Sequence, residues 1–107
     1  MDIKPVEKNI ELAVKTLKAL SNERRLMIVC VLFKGEQSVG ALEDMIGLSQ
    51  SALSQHLARL RRDGLVKTRR DAQTIYYSLE GDSDLEKILE CLHEMYCDGS
   101  GEVSAEE

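Results

Sequence analysis

Tryptophan is absent from this chain, and phenylalanine and proline occur once each. With aromatics at 4% and hydrophobic residues at 43%, Leu, Ile, Val and Met have to fill the core. A chain of 107 residues is long enough for one domain with a buried interior. No apolar run approaches the roughly 20 residues that span a bilayer. The longest, LMIVCVLF, covers residues 26–33 and holds a thiol, Cys30. The stretch MDIKPVEKNI has no cationic segment followed by an apolar one, so no secretory signal is expected. The expectation is a cytoplasmic protein with no membrane partner. In that reducing setting three cysteines suggest free, metal-bound or redox-active thiols rather than a disulfide framework. There is also no glycine-rich phosphate loop and no pair of catalytic carboxylates. Cys97 and His93 offer only the start of a nucleophilic site, so an enzyme is not expected.

Positive charge is outnumbered overall, with 14 Lys and Arg against 19 Asp and Glu, but it is not spread evenly. Between Ser49 and Arg70 six basic residues face one acid, Asp63, a local charge of +5. After Leu79 ten acids face Lys87 alone. A basic middle suits a polyanion, and the acidic end belongs to some other surface.

Ile3, Val6, Ile10, Ala13, Val14, Leu17 and Leu20 recur at three- and four-residue steps and predict one amphipathic helix. Ser21 or Asn22 can cap a second helix that runs to about Phe33 and stops at Gly35. Ser38 can cap a short third helix ended by Gly47, and Ser49 a fourth ended by Gly64. The period then changes. LVKTRRDAQTIYYSL alternates and predicts two strands joined at RRDAQ. That junction has neither Gly nor Pro, so a loop longer than two residues is expected. A last helix should start near Asp82 or Ser83 and carry Leu85, Ile88, Leu89, Leu92, Met95 and Tyr96. Residues 1–97 form the expected domain, and 98–107 an acidic disordered tail.

The third and fourth helices, joined by GLS, read as a helix-turn-helix, and the strand pair makes it a winged variant. The expected fold is mostly α with a small β-hairpin. In the fourth helix Leu53, Leu57 and Leu60 share the core face. Gln50, Ser51, Ser54, Gln55 and Arg62 are left outward. Gln suits adenine, Ser can donate or accept, and Arg suits guanine or phosphate. Arg69 and Arg70 in the wing are expected on phosphates. The plainer reading, a solvated polar helix face, is countered by the basic wing beside it.

The segments LKALSNERRLMIVCVL, SVGALEDMIGLSQSALSQHLARLRRDGLV and TRRDAQTIYYSL resemble the ArsR/SmtB-type winged-helix repressors of bacteria, over roughly residues 10–97. The resemblance implies a homodimer built on the first and last helices, bound to a double-stranded operator with inverted-repeat symmetry. It also implies that Gln50, Ser51, Ser54 and Gln55 read bases. A Cys in IVCVL paired with one in LHEMYC is similar to the persulfide-responsive branch, of BigR, SqrR and HlyU type. In that branch the thiols matching Cys30 and Cys97 become bridged by sulfur, and DNA affinity changes. Donors such as glutathione persulfide or polysulfides are then the implied small-molecule partners, with no cofactor. Metal-sensing members carry a Cys-x-Cys pair at the third helix or Asp/His pairs on the last, which here begins without His. Here those places read SVGALED and SDLEKI, so those metal sites are not expected.

Alone, Cys30 reads as a small core residue, and Cys91, on the apolar stripe of the last helix, does too. Cys97 has no such packing reason. It stands at a helix end beside Glu94 and Asp98, where a thiolate is disfavoured. Such thiols should react slowly with peroxide. Arg24 or Arg25 is the candidate cation to offset this. Cys30, His93 and Cys97 also make a thin alternative set for zinc or copper(I). His56 is read as a groove-edge residue. The acidic last helix leaves a further alternative, a protein-docking module that does not bind DNA.

Overall fold

The computed structural model describes residues 2–81 and 85–96. The expected first helix is two: α1, Lys4–Lys8, and α2, Ile10–Leu20. The break falls at Asn9, whose side-chain amide donates to the Pro5 carbonyl at 3.2 Å. A side chain bonding its own backbone competes with the helical ladder and interrupts it. α3, Glu23–Phe33, begins at Asn22, whose side chain accepts from the backbone N–H of Arg24 and Arg25, both at 3.0 Å. Between the two expected caps, Asn22 is therefore the one that serves.

The two arginines of SNERRL tie three helices together. Arg25 Nε donates to the Ala19 carbonyl at 2.6 Å, and its Nη2 to Lys18 at 3.3 Å, at the end of α2. Arg24 Nη1 donates to the Ile46 carbonyl at 3.4 Å, at the end of the next helix. Both guanidinium groups meet carbonyls that a helix end leaves without intrahelical partners. They act as caps.

β1, Gln37–Ser38, leads into α4, Val39–Ile46, capped by Ser38. Gly47 ends α4 at φ +79°, and its N–H returns to the Glu43 carbonyl. An L side chain rarely takes that conformation, and glycine does so without strain. Leu48 and Ser49 complete the turn, and Ser49 caps α5, Gln50–Arg62. The strands β2, Val66–Asp71, and β3, Thr74–Leu79, pair antiparallel from Val66↔Leu79 to Asp71↔Thr74. α6, Leu85–Tyr96, closes the described chain. The expected start near Asp82 or Ser83, Cys97 and the tail 98–107 lie outside the described residues.

Two features of the sheet differ from expectation. It has three strands in the order β1-β3-β2, because Gln37 and Ser38 pair with Tyr77 and Tyr76. A two-residue strand carries too little alternation to register in sequence. The wing turn is also only two residues, Ala72 and Gln73, and Ala72 takes φ +58° where glycine is usual. The left-handed conformation costs an L residue about 1–2 kcal/mol, and glycine loses about 0.5–1 kcal/mol more chain entropy on folding. Ala72→Gly is therefore expected to raise stability by about 0.5 kcal/mol, read as a higher urea midpoint at unchanged slope.

The core is aliphatic. Ile28, Val29 and Leu32 of α3 meet Leu42 and Ile46 of α4, Leu53, Leu57 and Leu60 of α5, Leu65, Val66 and Leu79 of the wing base, and Leu85 and Leu89 of α6. A leucine buried this fully contributes about 1.5–3 kcal/mol. α2 is different. Only Ala19 and Leu20 are buried, while Ile10, Leu12, Val14 and Leu17 stay exposed in the protomer.

Candidate nucleic-acid interface and thiol cavity

The helix-turn-helix places α5 so that Leu53, Leu57 and Leu60 seal it to the core while Gln50, Ser51, Ser54 and Gln55 stay exposed. The expected reading residues are thus on one outward side, but they do not share one depression. Gln50 and Ser54 line a concavity between α5, α4 and the wing, walled by Glu43, Gln73, Thr74 and Tyr77. Ser51 and Gln55 stand exposed outside it. Ser54 also borders a second depression with Ala58, Arg61, Arg62 and Tyr77. Arg61 and Tyr77 were not singled out in the sequence. Arg61 stands seven residues after Ser54, a helical spacing that could have found it. Tyr77 joins the site only through the wing register.

The wing separates its two arginines. Arg69 pairs with Tyr76 in the ladder, and Arg70 with Ile75. Successive strand residues point to opposite faces, so the two arginines diverge. Ile75 and Tyr77 line the α5 concavity, and Arg70, exposed, shares their face. Arg69 lies on the reverse. Its Nε and Nη2 donate to Glu36 Oε2 and Oε1, both at 2.9 Å, and its guanidinium carbon sits 4.4 Å from the centre of the Tyr76 ring. The hydrogen bonds from Arg69 hold the Glu36 carboxyl below the usual carboxylate range, and raise the Arg69 guanidinium in return. Arg69 is therefore engaged within the protomer, and a phosphate reaching it must displace a two-pronged carboxylate.

At the far end of α5, Asp63 is nearly buried and accepts from Arg59 Nε at 3.0 Å, with Arg62 Nε at 3.9 Å. Arg62 keeps 71% of its side chain exposed, so the ion pair leaves it available to an external anion. His56 is half-buried. Burial lowers its pKa first, then the charges of Arg25 and Arg24. The imidazole is accordingly held neutral.

Cys30 is exposed, against the core reading of LMIVCVLF. The helical period turns Ile28, Val29 and Leu32 inward and Cys30 outward. It opens into a largely apolar cavity of about 480 Å³ between α3 and α6, lined by Leu26, Phe33, Lys34, Leu89, Leu92, His93 and Tyr96. Cys91 is exposed as well, which corrects its reading as a core residue; the buried stripe of α6 runs through Leu85 and Leu89. Cys97 lies outside the described residues, but the preceding residue, Tyr96, lines the Cys30 cavity. Of the alternative metal set, Cys30 and His93 border one cavity, yet no group of three His, Cys, Asp or Glu among the described residues is placed to hold a metal ion. No helix there is long and apolar enough to cross a membrane.

Comparison with known proteins agrees with this geometry. Residues 22–68 match the family described as bacterial regulatory protein, arsR family. The transcriptional activator HlyU of Vibrio cholerae is 54% identical over 97 residues, 91% of this chain and 89% of that protein. The solved structure of reduced HlyU from Vibrio cholerae superimposes with a TM-score of 0.81 at 54% identity, over 88% of this chain and 98% of that one. The transcriptional repressor BigR from Xylella fastidiosa gives 0.84 at 40% identity, over 91% and 98%.

Proposed function

The chain belongs to the arsR family of bacterial regulatory proteins, and on that premise we propose that it is a cytoplasmic repressor that leaves its operator when reactive sulfur joins Cys30 to Cys97. It is a transcriptional regulator and not an enzyme. That membership sets aside the reading as a docking module without DNA. In this reading the protein is a homodimer on an inverted-repeat operator, with Gln50, Ser51, Ser54 and Gln55 reading bases and Arg62, Arg69 and Arg70 contacting phosphates.

The observation that carries the sensing claim is an exposed thiol at the mouth of a largely apolar cavity shared by α3 and α6. The chemistry needs no oxidant besides the persulfide donor itself. Each thiolate attacks the outer sulfur of glutathione persulfide, glutathione leaves as the thiol, and a protein persulfide remains. One persulfide then attacks the other and expels hydrogen sulfide, leaving one additional sulfur between the two cysteine sulfurs. The sulfane sulfur is the oxidant and is reduced to sulfide.

Selection of bound fragments from a random duplex pool tests the DNA reading. Gln55→Ala should cost about 1–3 kcal/mol and relax preference at particular base pairs. Arg70→Ala should weaken all sequences alike and flatten the salt dependence by about one unit per lost phosphate contact. Glu36→Gln is expected to tighten binding to every sequence, because it releases Arg69 to phosphate, and to steepen the salt dependence. Weaker binding by Glu36→Gln would instead make the pair a brace for the wing and remove Arg69 from the contact set.

A further inference from the structure

α2 has two working faces. Leu12, Ala13, Thr16 and Leu17 line an apolar depression with Leu85 and Ile88 of α6. Glu11, Lys15 and Lys18, spaced by four and three residues, lie on another face and, with Val14 between them, border a groove against the end of α5. Its α5 wall supplies Arg59, Arg62 and Asp63. Four cations against two carboxylates leave the groove with a net +2.

One carboxylate, Asp63, is nearly buried and already shared by Arg59 and Arg62. Neither Lys15 nor Lys18 has an ion pair among the described residues. Arg62 also borders the depression that holds Ser54 and Arg61, so the groove adjoins the reading side of α5 at that side chain. A chain carrying −5 overall concentrates cations here for some reason.

We propose that the Lys15–Lys18 face of α2, with Arg62, is a second phosphate-contact surface that takes the DNA backbone beyond the bases read by α5. This rests on the DNA-reading function above. The occupant is a phosphodiester backbone because the groove is open and cationic and adjoins the reading side. Its contribution is blind to sequence, since only phosphate is touched.

The experiment compares wild type with the double variant Lys15→Gln, Lys18→Gln on a selected operator and on a random duplex of equal length, across a salt series. The expected result is an equal loss on both duplexes, about tenfold, and a salt dependence shallower by about one to two units. Glu11→Gln, which removes an acid from the same groove, should shift both affinities the other way. Sedimentation should give the same mass for all three proteins. An unchanged salt dependence in the double variant, or a loss confined to the operator, overturns the proposal. Failure of the DNA reading looks different: wild type would then select no sequence from a random pool, and both would fall together.

Discussion

Cys30→Ser is expected to remain on its operator under a glutathione persulfide dose that strips wild type from it. The bridge needs both thiols, so removing either ends the covalent step. In wild type, intact mass should rise by one or more sulfurs less two hydrogens, and operator affinity should fall by about 5- to 150-fold, the usual range for coupling between two sites. Cys97→Ser should lose both responses with Cys30→Ser. Cys91→Ser should keep both, because Cys91 is exposed and does not line the Cys30 cavity. The expected loss is not a folding effect. Cys30 is already exposed, so a hydroxyl in its place meets solvent and leaves no buried polar group. A normal mass gain and DNA release in Cys30→Ser would make this thiol a bystander and end the sensing proposal.

The link from bridge to DNA runs through packing. Cys30 lies on α3, whose buried face also holds α4 and α5 through Ile28, Val29 and Leu32. α6 supplies Leu89, Leu92, His93 and Tyr96 to the cavity Cys30 opens into. A covalent tie across that cavity fixes α6 against the helix on which the reading unit rests. For a switch, it must favour the arrangement with lower DNA affinity by that differential free energy.

How far these parts were legible in sequence depends on whether the signal was local. The caps Ser38 and Ser49 and the stops Gly35, Gly47 and Gly64 are local chemistry, and each falls where the pattern put it. Leu53, Leu57 and Leu60 followed from helical periodicity alone. The Asn9 break was not legible, because the apolar period runs on through it while one side chain redirects the backbone. Long-range partners were invisible. Nothing near Arg24 or Arg25 points to the carbonyls of Ile46 and Ala19, and nothing near Arg69 points to Glu36, 33 residues away. The exposure of Cys30 is hidden in sequence for a related reason. An apolar run suggests burial for every member, but a helix buries one side, and Cys30, two residues from both buried Ile28 and buried Leu32, falls on the other.

The apolar face of α2 leads to the other large effect: Leu17→Asp is expected to yield a folded monomer with operator affinity at least a hundredfold weaker. Leu12 is 63% exposed and Leu17 56% in the protomer, and both border an apolar depression of about 600 Å³ with Leu85 and Ile88 of α6. So many exposed aliphatic side chains on one helix call for a covering partner. A second copy covers them on both sides at once, since a two-fold contact uses the same patch twice. Because Leu17 is exposed in the protomer, an aspartate there should leave the core of α3, α4 and α5 intact, with an unchanged helical spectrum. In the dimer it would bury two carboxylates without partners, which the interface cannot tolerate. Losing the dimer removes the second reading helix, and with it the gain of about 10² or more that linking two half-site contacts brings. Sedimentation should give the monomer mass, and binding to a single half-site should be nearly unchanged. A variant that stays dimeric and keeps operator affinity would place the interface elsewhere, and the exposed leucines of α2 would then need another partner.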